Sequence, residues 1–369
     1  MRYATHNKKI ILTGGGTAGS VSPLLAIFEE LTSLKHPFLT KEREGVRYDF
    51  LWVGTKKGIE KEMVGKAGIK FKSITSGKLR RYFSWQNFID PFKILIGFFQ
   101  SIFIVLKFKP DLVMSAGGFV SVPVVWAAWL LGVKIIIHQQ DARAGLANKL
   151  MAPLADVITV TFEKSLADYG KKAVWTGNPI RQSLQITNYK LQITNFFNLK
   201  KDLPVLLVIG GGTGAMAINK LVWDSLEELT KFCQVIHICG KSKKLEVRSK
   251  NYLSFEFLEA DKMAEALRLA DVVVSRAGLG LLTELSYLGK PSILIPIPDS
   301  HQEDNAKIFQ DKKAAVVLEQ KFLTGEEFVS NIKRLMFNKQ KQEEFGENIK
   351  KVIKKGANES IVKIILEIL

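Results

Sequence analysis

The sequence predicts an α/β protein made of two doubly wound domains, each with a parallel sheet covered on both faces. Short apolar runs that suit buried strands alternate with helical stretches along the 369 residues. A glycine-rich turn follows an early strand in each half, at residues 14–19 after KKIILT and at residues 210–214 after PVLLVI. The chain is long enough for two cores, and 47% of it is hydrophobic.

The apolar runs place the expected strands in two groups of five. In the first half they lie near residues 8–13, 48–53, 110–115, 133–137 and 156–160, and in the second near 204–210, 234–239, 252–258, 271–274 and 292–296. We expect a first domain over residues 1–180 and a second over 181–344, with the C-terminal helical region 345–369 packing back onto the first. Ligands of such sheets bind beyond the carboxyl ends of the strands, so the cleft between the domains is the expected site.

Composition narrows the range of partners and compartments. The formal charge of +17 favours anionic partners such as acidic lipid or phosphorylated ligands, although a generally solvated basic surface is an equally good explanation. No RNA- or DNA-binding motif accompanies the basic clusters, so we expect no nucleic-acid partner. Cys233 and Cys239 flank one predicted strand and lie too far apart for a disulfide. A reducing cytoplasm is expected, and the short N-terminal apolar run does not suit a signal peptide.

The segment 274–284 carries the clearest chemical signal. A buried strand ends at a small turn, a helix then begins, and the first N–H groups of such a helix suit an anionic group. Arg276 lies in the turn and Glu284 follows within two helical turns. Donors for a diphosphate beside an acceptor for sugar hydroxyls are typical of a nucleotide-sugar site, while an ordinary strand–turn–helix unit of any α/β protein is the alternative.

Two further segments bear on membranes and linkers. Residues 79–88 combine cations and bulky aromatics, among them Arg80, Arg81 and Trp85, which suits the headgroup plane of an anionic leaflet. The apolar run at 94–106 is too short to span a bilayer, and we expect most of it to form a buried core helix. LQITN occurs twice, at 184–188 and 191–195, and is interpreted as a surface insertion near the linker.

Seven motifs in order resemble the MurG family of peripheral membrane glycosyltransferases. They are the glycine loops, a segment around His138, a hinge motif, the donor segment and a sugar-reading segment, at residues 15–23, 117–123, 138–149, 177–181, 210–215, 276–284 and 301–306. The resemblance covers nearly the whole chain. It implies the GT-B architecture, with two Rossmann-like domains facing across a cleft, and a donor, UDP-N-acetylglucosamine, held mainly by the second domain.

The resemblance also implies roles for individual residues. Leu258 would contact the uracil through its backbone, Glu284 the ribose hydroxyls, and Gln302 the hydroxyls of the transferred sugar. The diphosphate would lie against the third glycine loop and a helix N-terminus, at Gly212, Thr213, Leu279, Gly280, Leu281, Leu282 and Thr283. Other donor contacts would come from Arg276, from Arg181 just past the hinge, and from the first domain, at Thr17, Ala18, Gly19 and Asp141.

The implied reaction is inverting transfer of N-acetylglucosamine to the C4 hydroxyl of undecaprenyl-diphospho-N-acetylmuramyl-pentapeptide, in peptidoglycan synthesis. The enzyme would lie at the cytoplasmic face of the membrane, with residues 79–88 against the anionic surface. No Asp-x-Asp occurs in the chain, which favours a metal-independent route without a cofactor. Backbone amides and a guanidinium can stabilise the charge of the departing UDP. A related transferase with another lipid acceptor, such as diacylglycerol, is the nearest alternative.

Two positions depart from the family pattern. Ser20 stands where the family has His, and Gln139 where it has Glu, and neither side chain can take a proton at neutral pH without help. Asp141 stands where the family has Asn and is the catalytic base that we expect, although a role as a substrate contact alone is an equal alternative. His138 follows a buried strand and is expected to be structural. The departures also leave open a protein that binds a nucleotide sugar without catalysing transfer. A dehydrogenase is disfavoured because this sequence lacks the glycine and acidic signature of a dinucleotide site.

Overall fold

The computed structural model describes residues 7–16, 19–33, 47–77, 86–185, 196–211, 214–241 and 249–369, without the side chains of 86–88. It divides into two compact units. The first comprises Met1–Gln182 with Lys354–Leu369, and the second comprises Ser183–Ile353. Each is an α/β unit with one parallel sheet, as predicted from the alternation of strands and helices. The LQITN repeat lies mostly outside the described residues.

The first unit is built on a seven-stranded parallel sheet in the order β3-β2-β1-β4-β5-β6-β7. Alternate residues of β1 point to opposite faces, so Ile10 and Leu12 enter one hydrophobic core while Ile11 enters another. Both faces of the sheet are therefore covered, which explains the continuous apolar runs. The strands are β1 Asn7–Thr13, β2 Arg47–Thr55, β3 Lys70–Ile74, β4 Leu112–Ser115, β5 Lys134–Gln139, β6 Val157–Val160 and β7 Ala173–Trp175.

The helices of the first half connect these strands, and the last of them lies where the chain passes from the first unit to the second. Short 3-10 turns occur at Ala152–Leu154, Glu163–Ser165 and Gly170–Lys172. The α-helices are α1 Ser22–Thr32, α2 Glu60–Lys66, α3 Gln86–Phe108, α4 Ser121–Leu130, α5 Leu146–Met151, α6 Leu166–Tyr169 and α7 Gln182–Gln185.

The second unit has a six-stranded parallel sheet in the order β10-β9-β8-β11-β12-β13. Its strands are β8 Val205–Ile209, β9 Gln234–Ile238, β10 Tyr252–Phe255, β11 Val272–Ser275, β12 Ser292–Leu294 and β13 Val316–Val317. Its helices are α8 Met216–Asp224, α9 Leu226–Thr230, α10 Ala260–Leu269, α11 Leu279–Leu288, α12 His301–Asp311, α13 Gly325–Met336 and α14 Lys339–Ile349. All residues of β8, β9 and β11 are buried, which agrees with the apolar runs that predicted them.

The chain returns to the first unit at Lys354 and ends there in α15 (Ala357–Ile368). Ile361 and Ile365 of α15 belong to the core that covers one face of the first sheet, and the helix packs against α1. α14 packs against α11 and α13 and so lies in the second unit, which extends beyond the expected boundary at 344.

Three strands had no counterpart among the ten expected from the sequence, namely β3, β7 and β13. β3 and β7 form the two edges of the first sheet and β13 forms one edge of the second. In β3 only Ile74 is buried, and neither residue of β13 is. An edge strand that is covered on one side needs no continuous apolar run, so its pattern is weak in the sequence.

The expectation that residues 94–106 form a mostly buried helix is wrong. α3 exposes a stripe of apolar side chains at helical spacing, and only 22% of its most apolar stretch is buried. We call this stripe the α3 face: Ile89, Phe92, Leu95, Ile96, Phe99, Phe103 and Leu106. Hydropathy identifies an apolar run but does not tell whether the run is buried, because an exposed surface that binds a membrane or a partner can be as apolar as a core.

The opposite side of α3 is built into the first unit. Ser101 and Val105 are buried, and the helix packs against α4. At Gly97 the helix lies so close to the carbonyl oxygen of Thr75 that a Cβ would not fit. By length and composition Ile89–Phe108 could cross a membrane, but one side of it is already occupied by protein.

Candidate functional site

The second sheet offers a ligand site at the point where its strand order reverses. β8 lies between β9 and β11, so the connections that follow β8 and β11 leave the sheet in opposite directions and open a crevice. Ser275 pairs in register with Ile209, so the turns after these strands begin side by side. Two predicted donor segments therefore start at this crevice, although Gly212 and Thr213 lie outside the described residues.

The N-terminus of α11 is open to an anion. Gly278 is its N-cap and no side chain caps the helix there; the first helical hydrogen bond runs from the Leu282 N–H to the Gly278 carbonyl. The amides of Leu279, Gly280 and Leu281 precede that bond and point out of the helix end. Apart from its own helical turn, no atom of the described residues lies within 4 Å of the position that a Cβ on Gly280 would take. Free amides, a positive helix end and open space suit a phosphate.

Arg276 lies beneath the turn rather than in solvent beside it. Its side chain is buried; Nη1 donates to the carbonyl oxygens of Ile295 (2.9 Å) and Pro296 (3.1 Å), and Nη2 donates to Oε1 of Gln320 (2.6 Å). These partners are neutral, and burial lowers the pKa of the guanidinium from its usual value. Nε is buried without a hydrogen-bond partner in the described part of the chain. The arrangement holds a positive charge near the turn.

Acidic and amide side chains surround the same turn. Glu284 is 6% exposed on the second turn of α11, and Thr283 donates from its hydroxyl to the Leu279 carbonyl (2.7 Å). Asn305 of α12 is fully buried and donates from Nδ2 to the Ala277 carbonyl (3.1 Å), which ties α12 to the turn. The carboxylate predicted to contact ribose therefore belongs to the helix whose N-terminus is open.

Gln302 and Leu258 follow two strands of the second sheet that are not neighbours, β12 and β10. Oε1 of Gln302 accepts from the Ile297 N–H (3.2 Å), and Nε2 lies 4.0 Å from the Cβ position of Gly278, beside the α11 N-terminus. Leu258 is buried just before α10. The Gln302 side chain thus lies beside the predicted phosphate turn. Leu258 lies after β10, at the opposite edge of the sheet.

In the first unit the strand order reverses between β1 and β4, and two glycine loops begin there. Thr13 pairs with Ser115, so the loops start side by side. Gly118 has φ 92°, and a Cβ on it would lie 2.7 Å from the Gly15 carbonyl oxygen, so the two loops are in direct contact. Of the predicted donor contacts in the first loop, only Gly19 is described; Thr17 and Ala18 lie outside the described residues.

Ser20 closes the first glycine loop. Its hydroxyl donates to the Gly15 carbonyl oxygen (3.2 Å), and the side chain is buried. The same hydroxyl proton cannot serve a substrate while it is held in this bond. Ser20 therefore stabilises the loop conformation at the position where the resemblance implied an imidazole.

Gln139 is fixed by hydrogen bonds of both polarities. Nε2 donates to the carbonyl oxygen of Asp141 (2.7 Å), while Oε1 accepts from Nδ2 of Asn148 (2.6 Å) and from the Tyr169 hydroxyl (3.0 Å). A carboxylate could not donate to the Asp141 carbonyl, so the amide suits this position better than Glu would. Gln139 thereby positions the loop that carries Asp141.

Asp141 and His138 differ in exposure. Asp141 is partly exposed in the loop after β5. His138 is fully buried, with Nδ1 2.9 Å from the Thr159 hydroxyl and Nε2 2.8 Å from Oδ1 of Asn178. Burial lowers the pKa of His138 to about 4, which keeps the ring neutral near pH 7. This environment agrees with a structural role for His138.

The hinge motif is anchored to the end of the chain. Asn358 of α15 accepts at Oδ1 from the Ile180 N–H (2.9 Å) and donates from Nδ2 to the Ile180 carbonyl (2.9 Å). At Gly177 (φ 85°) the backbone packs directly on the Lys354 carbonyl. Arg181 follows this anchored segment and is partly exposed. The C-terminal helix thus fixes the point from which Arg181 projects.

Glu60 was missed by sequence reasoning. It is fully buried at the start of α2, and its carboxylate accepts from the N–H and hydroxyl of Thr55 and from the N–H of Gly16 in the first glycine loop. A carboxylate in the first turn of a helix normally indicates only a favourable dipole interaction, so nothing local distinguished it. Among the described residues, no group of three or more His, Cys, Asp or Glu is arranged to hold a metal ion.

Two family models match the chain. The glycosyltransferase family 28 N-terminal domain matches residues 10–160, and the family 28 C-terminal domain matches residues 205–361. A Clostridium kluyveri protein named UDP-N-acetylglucosamine--N-acetylmuramyl-(pentapeptide) pyrophosphoryl-undecaprenol N-acetylglucosamine transferase is 42% identical over 340 residues, which cover 90% of this chain and 92% of that protein. A Clostridium tetani protein of the same name is 38% identical, with 97% of each chain covered.

Solved structures agree with these matches. Acinetobacter baumannii MurG is 25% identical with a TM-score of 0.71, over 98% of this chain and 99% of that one. A UDP-GlcNAc 2-epimerase from Neisseria meningitidis, 15% identical with a TM-score of 0.70 over 97% of this chain and 100% of that one, shares the fold. The GT-B fold class implied by the motifs is thus confirmed. On the two family 28 domains and the relatives at 38–42% identity, the chain belongs to glycosyltransferase family 28 and, within it, to the MurG transferases.

Proposed function

We propose that this protein transfers N-acetylglucosamine from UDP-N-acetylglucosamine to the C4 hydroxyl of undecaprenyl-diphospho-N-acetylmuramyl-pentapeptide, with inversion at the sugar C1. The observation that carries the proposal is the open N-terminus of α11 at the strand-order reversal of the second sheet, with Arg276, Glu284 and Gln302 around it. The relatives' printed names, at up to 42% identity, support the same donor and acceptor.

The second unit binds the donor through its diphosphate. The amides of Leu279, Gly280 and Leu281 would donate to phosphate oxygens, and the buried charge of Arg276 would act on the same group at short range. Glu284 would accept from ribose hydroxyls and Gln302 would donate from Nε2 to the transferred sugar. Gly212, Thr213 and Leu258 would complete the diphosphate and uracil contacts, as in the family pattern.

The chemical step is a single displacement. The acceptor O4 forms a bond to C1 of N-acetylglucosamine while the bond from C1 to the β-phosphate oxygen breaks, and the hydroxyl proton passes to a base. The negative charge that develops on UDP is stabilised by the α11 amides and by fixed positive charge, so we propose that transfer needs no metal ion.

Asp141 is our proposed base for the acceptor hydroxyl. It is a partly exposed carboxylate, whereas the two positions where the family carries His and Glu hold Ser20 and Gln139 in hydrogen bonds. The Gln139 amide donates to the Asp141 carbonyl oxygen and so fixes the position of the backbone that carries the carboxylate. Arg181 and the first glycine loop, with Thr17, Ala18 and Gly19, would approach the substrates from the first unit.

We further propose that the protein binds the cytoplasmic face of the membrane through the α3 face. Seven apolar side chains on one side of this helix are exposed, and the other side packs inside the unit, which suits a peripheral rather than a spanning helix. Lys107 and Lys109 follow at its C-terminal end, and anionic lipid attracts such cations. The basic segment 79–88 overlaps the first three residues of α3, and its residues 79–85 lie outside the described part of the chain.

The proposal is tested by incubating the purified protein with UDP-N-acetylglucosamine and lipid-linked muramyl pentapeptide, in the presence of EDTA. Formation of the lipid-linked disaccharide is the expected result. Transfer to diacylglycerol but not to the muramyl lipid would assign the protein to a different acceptor. Donor binding without turnover on either lipid would mark a binding protein that has lost catalysis, which the departures at Ser20 and Gln139 motivate.

A further inference from the structure

We propose that Glu60 is a positioning residue for the lipid acceptor, because it holds the first glycine loop in the shape that receives the acceptor diphosphate. The inference rests on the proposed function, and it takes the acceptor diphosphate to lie near the first two glycine loops, while the donor contacts mainly the other unit. Glu60 lies outside every motif that relates the chain to its family. Its role follows from its contacts in the first unit.

The carboxylate of Glu60 joins two segments that are distant in sequence. Oε1 accepts from the Thr55 N–H (2.8 Å) and the Thr55 hydroxyl, at the end of β2. Oε2 accepts from the Gly16 N–H (3.3 Å), in the loop after β1. Glu60 is 0% exposed, so its hydrogen-bonding capacity is directed at these protein groups rather than at solvent. The end of β2 and the first glycine loop are thus bonded to one buried anion.

Three glycines leave room for this carboxylate. A Cβ on Gly15 would lie 2.5 Å from Oε1, one on Gly54 would lie 3.1 Å from Cγ, and one on Gly58 would collide with Oε2. None of the three has a left-handed φ, so the backbone conformation alone does not demand glycine there. The space that the Glu60 side chain occupies explains Gly15 and Gly58, whereas a Cβ on Gly54 would meet the Phe71 ring first, at 2.9 Å.

The effect of Glu60 extends to the second glycine loop. Gly15 lies directly against Gly118, whose Cβ would meet the Gly15 carbonyl oxygen and nitrogen at 2.7 and 3.1 Å. Displacing the 14–16 backbone would therefore disturb the loop after β4 as well. Both loops begin at the strand-order reversal of the first sheet, where a phosphate is bound by backbone amides in such folds. The loop geometry, and hence acceptor binding, is set by an anion that never touches substrate.

The test uses the full-length protein and two variants. In Glu60→Gln the amide can accept from Thr55 but places N–H against the N–H of Gly16, which releases the loop. Gly58→Ala keeps the carboxylate and pushes it away from its partners. We expect both variants to raise the KM for the lipid acceptor about tenfold, the cost of one buried bond left unmade. The KM for UDP-N-acetylglucosamine should stay unchanged, because the donor is bound mainly by the other unit.

Glu30→Gln is the matched control. Glu30 is a buried carboxylate of the same unit that accepts from Nδ2 of Asn358 (3.3 Å), and it lies at the opposite end of α1 from the glycine loop. It should change thermal stability as much as Glu60→Gln does while leaving the acceptor KM at its wild-type value. Amide hydrogen exchange at Gly16 should accelerate in Glu60→Gln and not in Glu30→Gln.

The outcomes separate this inference from the proposed function. Wild-type protein that makes the disaccharide, with Glu60→Gln and Gly58→Ala showing an unchanged acceptor KM, would overturn the role of Glu60 alone. An equal rise in both KM values would also overturn it, since that indicates general loss of structure. A wild-type protein that transfers nothing to the lipid acceptor would refute the proposed function, and the acceptor role of Glu60 with it.

Discussion

Asp141 is the side chain on which the proton transfer most directly depends. Ser20 donates to the Gly15 carbonyl and Gln139 donates to the Asp141 carbonyl, so the two positions where the resemblance implied titratable groups instead hold side chains that fix the loops. If the protein catalyses transfer, the acceptor hydroxyl must lose its proton either to a base elsewhere in the site or with only weak assistance from the protein. The partly exposed carboxylate two residues after Gln139 fits the first possibility.

Asp141→Asn should lower kcat by about 100-fold or more while leaving the KM for UDP-N-acetylglucosamine near its wild-type value, because general-base assistance contributes on that scale. Steady-state transfer to the lipid acceptor, followed by disaccharide yield, measures both constants. Asp168→Asn, at an exposed carboxylate of the same unit, serves as the control. An unchanged kcat in Asp141→Asn would leave this residue a substrate contact only.

At the level of elements, a substitution at the open N-terminus of α11 should change donor binding without lowering stability. Gly280→Asp fits sterically, since no atom of the described residues outside its own helical turn lies within 4 Å of the Cβ position. Its carboxylate would itself occupy the positive helix end. The variant should be as stable as the wild type or more so, yet the KM for UDP-N-acetylglucosamine should rise by about tenfold or more, from competition and like-charge repulsion.

The control for Gly280→Asp is Lys339→Asp, which places a carboxylate at the exposed N-terminus of α14 in the same unit. It should leave both KM values unchanged. Donor affinity is measured by isothermal titration with UDP, and stability by thermal unfolding. If Gly280→Asp bound UDP as tightly as the wild type, the diphosphate would not lie on α11.

The α3 face makes a prediction about membranes. Phe99→Glu replaces a side chain that is 61% exposed, so folding should be unaffected, but partition onto anionic vesicles should fall about tenfold or more because a buried Phe contributes about 1.5–3 kcal/mol. Co-sedimentation with phosphatidylglycerol vesicles measures this. Phe322→Glu, at a 76% exposed Phe of the second unit, should bind vesicles as the wild type does. Equal loss in both variants would argue against a defined membrane face.

At the level of the whole molecule, each unit holds one buried neutral histidine beside an asparagine. His237 of β9 has Nε2 3.1 Å from Oδ1 of Asn219 and Nδ1 3.0 Å from the Tyr252 hydroxyl, much as His138 is bonded to Asn178 and Thr159 in the first unit. Burial lowers the pKa of His138 and of His237 to about 4 from 6.5. Both units therefore depend on an imidazole that must stay unprotonated.

The stability of both units should fall as the pH is lowered from 6.5 toward 4. The unfolded chain takes up a proton on each histidine below pH 6.5, while the folded units resist protonation until about pH 4. Each histidine should cost about 2 kcal/mol between pH 7.5 and pH 5. Urea unfolding at the two pH values measures the loss, and His237→Gln should remove the pH dependence from the second unit only. A stability independent of pH over this range would refute the assignment.

Much of the geometry of the candidate site was predictable because it depends on the backbone of consecutive positions. The donor turn at 276–284 needs only a buried strand, a small turn and a helix start, and all three are local patterns. Arg276 was recognised as a cation beside that turn, but its partners are 19, 20 and 44 residues away and could not be inferred from spacing. The same distance in sequence hid Glu60, which meets Gly16 across 44 residues.

Local patterns along the chain were enough to predict the two parallel α/β units, their glycine turns and the family, because strand burial, helix periodicity and glycine spacing are properties of neighbouring residues. Three features could be found only in the folded protein, namely which apolar helix face stays exposed on α3, which strands form sheet edges, and which carboxylate lies under the first glycine loop. These depend on what packs against a residue from distant parts of the chain. The hydrophobicity and charge of a side chain indicate which environment it prefers, whereas the fold determines which residues it contacts.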